Sequence, residues 1–126
     1  VTDPADLIEK WGLECNFAYR VAKFIDEAEF ALGRDIEIIS GFRSRKEQEQ
    51  LSKEGRPTAP FYLSNHTTCP ATAIDISMGF ARTREMKLIL GHQAHLNGLR
   101  WGGGSPLDDD GLPSDWNHFD LGPRNS

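Results

Sequence analysis

The 126-residue chain has only two cysteines, Cys15 and Cys69, too few for a disulfide scaffold and not spaced as a C-x-x-C redox or zinc motif. No apolar run approaches the ~20 residues of a membrane span, and Val1 to Lys10 is polar and helix-like rather than signal-like. Lys and Arg never gather into a block longer than Arg43, Arg45 and Lys46, and the formal net charge is −5. Both facts argue against nucleic acid as a partner, since phosphate binding needs a basic patch. Repeats, low-complexity tracts and linkers are also missing. What remains is one soluble globular domain over residues 1–126, with 38% hydrophobic and 26% charged residues. A domain of this length buries about two-thirds of its unfolded surface, so it needs neither disulfides nor a structural metal to fold. Any metal it binds is expected to be functional.

Local patterns predict the elements. Asp3-Pro4 starts a first helix, which Gly12 stops after Leu7, Ile8 and Trp11. Phe17, Val21, Phe24, Ala28 and Leu32 recur at helical spacing over Asn16 to Leu32, and Gly33 ends the run. Ile36 to Ile39 reads as a buried strand leading into a tight turn at Ser40-Gly41. Ser44 and Glu47 form a capping box for a helix ending near Lys53, and Gly55, Pro57 and Pro60 mark a loop. Ala71 to Ser77 alternates, placing Ala73, Asp75 and Ser77 on one face and Ile74 and Ile76 on the other. Thr83 starts a helix that runs to about Asn97, with Gly98 as its stop and Gly91 a weakness inside it. Leu99 to Gly102 and Asn117 to Leu121 are short strands joined by a Gly-, Pro- and Asp-rich loop. The order predicts an α+β fold with helices packed on a small, mostly antiparallel sheet.

Three segments place polar groups where an apolar core would find them costly: His66 in Ser64-Asn65-His66, Asp75 between Ile74 and Ile76, and His118 before Phe119. Two imidazoles and a carboxylate are the protein ligands of a catalytic zinc site, with the fourth position left open. Each alone also fits an ordinary buried polar group that has found its hydrogen bonds. The same set serves in non-haem iron oxygenases, but there the first two ligands usually stand as His-x-Asp, whereas eight residues separate His66 from Asp75.

In order along the chain, Ser40-Gly41-Phe42-Arg43-Ser44 with Gln48, Ser64-x-His66, Ala73-x-Asp75, Gly98-Leu99-Arg100-Trp101-Gly102-Gly103 and Asp115-x-x-His118-Phe119 resemble the zinc D-alanyl-D-alanine carboxypeptidase and L-alanyl-D-glutamate endopeptidase family. That family includes phage endolysins and shares its fold with hedgehog-type proteins. The resemblance implies that His66, Asp75 and His118 bind one Zn2+ ion and that Asp115 is the general base. It further implies that Arg43, Gln48, Ser64 and Trp116 meet the substrate, a peptidoglycan stem peptide. A zinc ion lowers the pKa of water to about 7, and a neighbouring carboxylate can take the proton and return it to the leaving amine. Arg43 offers a rigid fork for a substrate carboxylate or a developing oxyanion. The implied protein is a monomer acting at the bacterial cell wall or periplasm, made without a visible signal peptide and released in the manner of a lysin. The alternative is a zinc-binding interaction module of the same fold without catalysis.

Asp115 and His118 would lie about 10 Å apart on a straight strand, so a bend near Ser114-Asp115 is required. Asp120 shares the His118 face and competes for the role of base, with the family pattern favouring Asp115. The sequence departs from that pattern in two places. Asp75 stands nine residues after His66 instead of seven, with Cys69 in place of glycine, and Gly104-Ser105 replaces Asp-Trp after the paired glycines. Cys69 as a fourth ligand would close the site. His92 and His95, three apart on one helix face, resemble a metal pair but, with no third ligand nearby, read as solvent-facing; Trp101 fits a wall of the groove or, as the favoured reading, core packing.

Overall fold

The computed structural model describes residues 1–41, 71–78 and 83–122. The expected Ser44 helix and the loop after it lie outside them. Helix α1 spans Pro4–Trp11, with the Asp3 carboxylate accepting the Ala5 N–H at 2.9 Å. Helix α2 spans Cys15–Leu32 and starts one residue ahead of the apolar pattern, because the Glu14 carboxylate caps it by accepting from the N–H groups of Asn16 and Phe17. Gly12 and Gly33 end the two helices in left-handed conformation. The turn between them is tied to Ala71, whose N–H donates to the Gly12 carbonyl and whose carbonyl accepts from the Glu14 N–H, each at 2.8 Å.

Strands β1 (Glu37–Ser40), β2 (Ala73–Ser77), β3 (Arg100–Trp101) and β4 (His118–Asp120) form one sheet in the order β1-β2-β4-β3, every pair antiparallel. Alternation along the strands sends Ile74, Ile76 and Phe119 into a core shared with Phe17, Val21, Phe24 and Ala28 of α2. Phe24 and Phe119 meet there with ring centroids 4.6 Å apart and planes tilted by 46°. Burying each such side chain contributes roughly 1.5–3 kcal/mol. The opposite face of the two central strands carries Asp75 and His118. Among the described residues no helix is long and apolar enough to cross a membrane.

One expectation needs correction. The strand after Ile36 is not buried: among the described residues it stands at the edge of the sheet, and Ile39 is 53% exposed. Ile38 pairs with Ile76 and Ser40 with Asp75, which leaves Ile39 as an extra residue in a bulge, out of the core's reach.

Helix α3 (Arg84–Leu96) begins at Thr83, whose hydroxyl accepts the Met86 N–H at 3.2 Å. The glycine within it is a packing requirement. A Cβ at Gly91 would stand 2.4 Å from the Trp101 ring, so only glycine lets that ring lie flat on the helix. An exposed Gly→Ala change in a helix usually gains about 1 kcal/mol. Gly91→Ala is expected instead to lose about 1–3 kcal/mol through overpacking, as measured by chemical denaturation. A gain in stability would contradict this packing.

Candidate metal centre

Asp75 and His118 face each other across the β2–β4 ladder. The neighbouring Ile76 N–H donates to the Asn117 carbonyl at 3.0 Å, which marks Asp75–His118 as a non-hydrogen-bonded pair, the kind whose side chains approach closest. The His118 Nδ1 atom lies 3.0 Å from Asp75 Oδ1. Both side chains are largely covered, at 13% and 16% exposure, yet reachable from solvent.

The other ring nitrogen is held as well. His118 Nε2 lies 2.7 Å from Asp120 Oδ2. Asp120 accepts two further bonds from its cross-strand neighbour Arg100, Nε to Oδ1 at 2.8 Å and Nη2 to Oδ2 at 2.9 Å, and one from the Gly122 N–H at 2.8 Å. Burial alone would raise the Asp120 pKa, but the bonds from His118 and Arg100 overcome it and hold the carboxyl below its ordinary value. For His118, burial pulls the pKa down, and the bonds to Asp120 and Asp75 with their charges outweigh it, lifting it to about 9. The metal-free ring is therefore charged near neutral pH, donating from both nitrogens, and a cation bound at Nδ1 would have to displace the proton there. Gly103 closes over the ring at φ 58°, where a Cβ would come within 2.7 Å of His118 Cδ2 and 3.0 Å of Nε2.

The bend expected before His118 is a turn in which the His118 N–H donates to the Asp115 carbonyl at 3.0 Å. It brings an Asp115 carboxylate oxygen to 4.0 Å from His118 Nδ1, on the Asp75 side of the ring, with the side chain 41% exposed. Three outside contacts pin the turn. The Asp115 N–H donates to Ser105 Oγ at 3.1 Å, Trp101 Nε1 donates to the Trp116 carbonyl at 2.7 Å, and Asn117 Nδ2 donates to the Ile76 carbonyl at 3.1 Å.

Of the expected site residues, Asp75, His118 and Asp115 are therefore brought together. His66, Arg43, Gln48 and Ser64 lie outside the described residues, as does Cys69. Trp116 is half-buried against the core, with the Lys87 ammonium 5.2 Å from its ring centroid. Trp101 packs against the core, and His92 and His95 are exposed, as expected. Among the described residues no three His, Cys, Asp or Glu side chains are grouped to hold a metal ion. The Nδ1–Oδ1 separation nevertheless suits two ligands of one ion, since bonds of about 2.0 Å at a tetrahedral angle put donor atoms about 3.3 Å apart. Sequence reasoning gave Arg100 and Ser105 no role. Arg100 stands within the Gly98 to Gly103 segment, and Ser105 is marked only by its departure from the family pattern.

No family model matches the chain, and no curated protein matches it in sequence. Solved structures do resemble it. The L-Ala D-Glu endopeptidase ChiX of Serratia marcescens aligns with a TM-score of 0.55 at 17% identity, over 87% of this chain and 80% of that one. DacB of Streptococcus pneumoniae aligns with a TM-score of 0.54 at 19% identity, over 86% of this chain and 66% of that one. At these identities the likeness is one of fold.

Proposed function

We propose that the chain is a zinc metallopeptidase that hydrolyses peptide bonds in bacterial peptidoglycan stem peptides. The observation that carries this reading is the opposed Asp75–His118 pair, set for a cation on the central strands of a fold shared with an L-Ala D-Glu endopeptidase. His66 is the third ligand in this proposal. Zinc, when bound, supplies a Lewis acid that makes water a nucleophile near neutral pH.

The chain's own groups do the rest. Asp115, beside the His118–Asp75 pair and open to solvent, takes the proton of the attacking water and returns it to the leaving amine. Asp120 cannot serve in its place, being 2% exposed and bonded to Arg100, His118 and Gly122. Arg43, Gln48, Ser64 and Trp116 are proposed to bind the stem peptide, with the Arg43 fork on a substrate carboxylate or on the charge developing at the carbonyl. The preferred cut is the L-Ala to D-Glu bond, in the manner of a lysin, with D-Ala-D-Ala carboxypeptidase action as the other member of the class. The proposed place of action is the cell wall, and the proposed working unit is a monomer.

Digestion of purified peptidoglycan, with mass analysis of the fragments, tests this. The expected products are peptides newly ended at L-Ala and newly begun at D-Glu, lost with a chelator and restored by zinc. Release of D-Ala alone would assign the carboxypeptidase activity. Zinc binding with intact peptidoglycan would leave a non-catalytic module instead.

A further inference from the structure

We propose that Asp120, clamped by Arg100, is a positioning residue that fixes which nitrogen of His118 faces the metal. This rests on the zinc reading above and adds to it the control of the His118 ring. A carboxylate can only accept, so at 2.7 Å from Asp120 Oδ2 the Nε2 atom of His118 must carry a hydrogen. By the same rule Nδ1, 3.0 Å from Asp75 Oδ1, carries the second hydrogen while no metal is bound. A cation held by Asp75 would take the place of that proton, and the Nδ1 lone pair would then face it while the bond to Asp120 keeps the hydrogen on Nε2. The Asp120 bond therefore delivers a ligand nitrogen to the place where Asp75 delivers a ligand oxygen.

Asp120 is well built for this task. Its cross-strand partner Arg100 binds both carboxylate oxygens in a fork, and Gly122 holds a third contact, so the carboxylate cannot turn away from His118. Gly103 covers the ring beside the Nε2–Asp120 bond, and the Asp120 side chain is 2% exposed, which keeps water from competing. A buried ion pair of this kind adds little stability over an apolar pair of the same size. Orientation of a metal ligand is a task that an apolar pair could not perform. A carboxylate on the far nitrogen also makes the ligating nitrogen a stronger donor.

Zinc affinity, measured by competition with a chromophoric chelator, and the ring nitrogen and hydrogen resonances of His118 in the zinc-loaded protein test the proposal on the full chain. Asp120→Asn is expected to weaken zinc binding by about 10–100-fold and to shift His118 away from the Nε2–H form. Unchanged affinity with an unchanged His118 tautomer would overturn it. Arg100→Lys keeps the carboxylate but loses the fork, and a several-fold weakening is expected; if Asp120→Asn does not fold, unchanged affinity in Arg100→Lys overturns the proposal. Failure of the unsubstituted chain to bind zinc would sink the metal reading itself, and the inference with it. A melting curve of each metal-free variant separates loss of fold from loss of ligand.

Discussion

Asp115→Ala is expected to slow peptidoglycan hydrolysis by about 10²- to 10⁴-fold, the range for a positioned general acid–base group. Zinc content and melting temperature should stay near those of the unsubstituted chain. The side chain stands beside the paired donors at 4.0 Å from His118 Nδ1, and its 41% exposure means that little packing is lost on truncation. The turn itself is held by backbone and neighbouring groups: the Asp115 N–H on Ser105, the Asp115 carbonyl on the His118 N–H, and the Trp116 carbonyl on Trp101. Removing the carboxylate thus takes away the proton carrier and leaves its platform. Retained turnover would assign the proton to another group, and Asp120, enclosed by its own partners, is a poor replacement.

His118→Ala is expected to weaken zinc binding by more than the about 10–100-fold typical of an outer partner, since it removes a ligand rather than a ligand's support. It also leaves two carboxylates, Asp75 and Asp120, without the ring that lies between them. A hydrogen bond to a charged group contributes about 1.5–3 kcal/mol, so the metal-free variant should be less stable by at least that amount. Metal analysis of the dialysed protein, beside urea denaturation, reads both effects. Undiminished zinc in this variant would remove His118 from the ligand set.

How much of this was visible in the amino-acid sequence differs from residue to residue. The run Phe17, Val21, Phe24, Ala28 announced α2 because a helix buried along one side has only one periodicity available to it. Asp75 between Ile74 and Ile76, and His118 before Phe119, announced their faces for the same reason in strands, where neighbours alternate. Their mutual approach was not written in either segment. It follows from the register of β2 on β4, which depends on residues distant in the chain. Gly91 looked like a flaw because its partner, the Trp101 ring, comes from a different element. Ile39 looked buried because a bulge, which displaces one side chain, leaves no mark in a hydrophobic run. Arg100 and Ser105 escaped for a related cause: each acts through a cross-strand or cross-loop bond, to Asp120 and to the Asp115 N–H. The Ser105 bond gives a physical use to one departure from the family pattern. The longer spacing from His66 to Asp75 falls largely on residues outside those described.

Zinc K-edge X-ray absorption on the metal-loaded chain addresses the core proposition, that His66, Asp75 and His118 share one ion with an open position. The expected spectrum has one zinc per chain, two imidazole rings, and only nitrogen and oxygen neighbours at about 2.0–2.2 Å. A sulfur neighbour at about 2.3 Å would place Cys69 in a closed structural site, and a spectrum with fewer than two imidazoles would break the proposed ligand set.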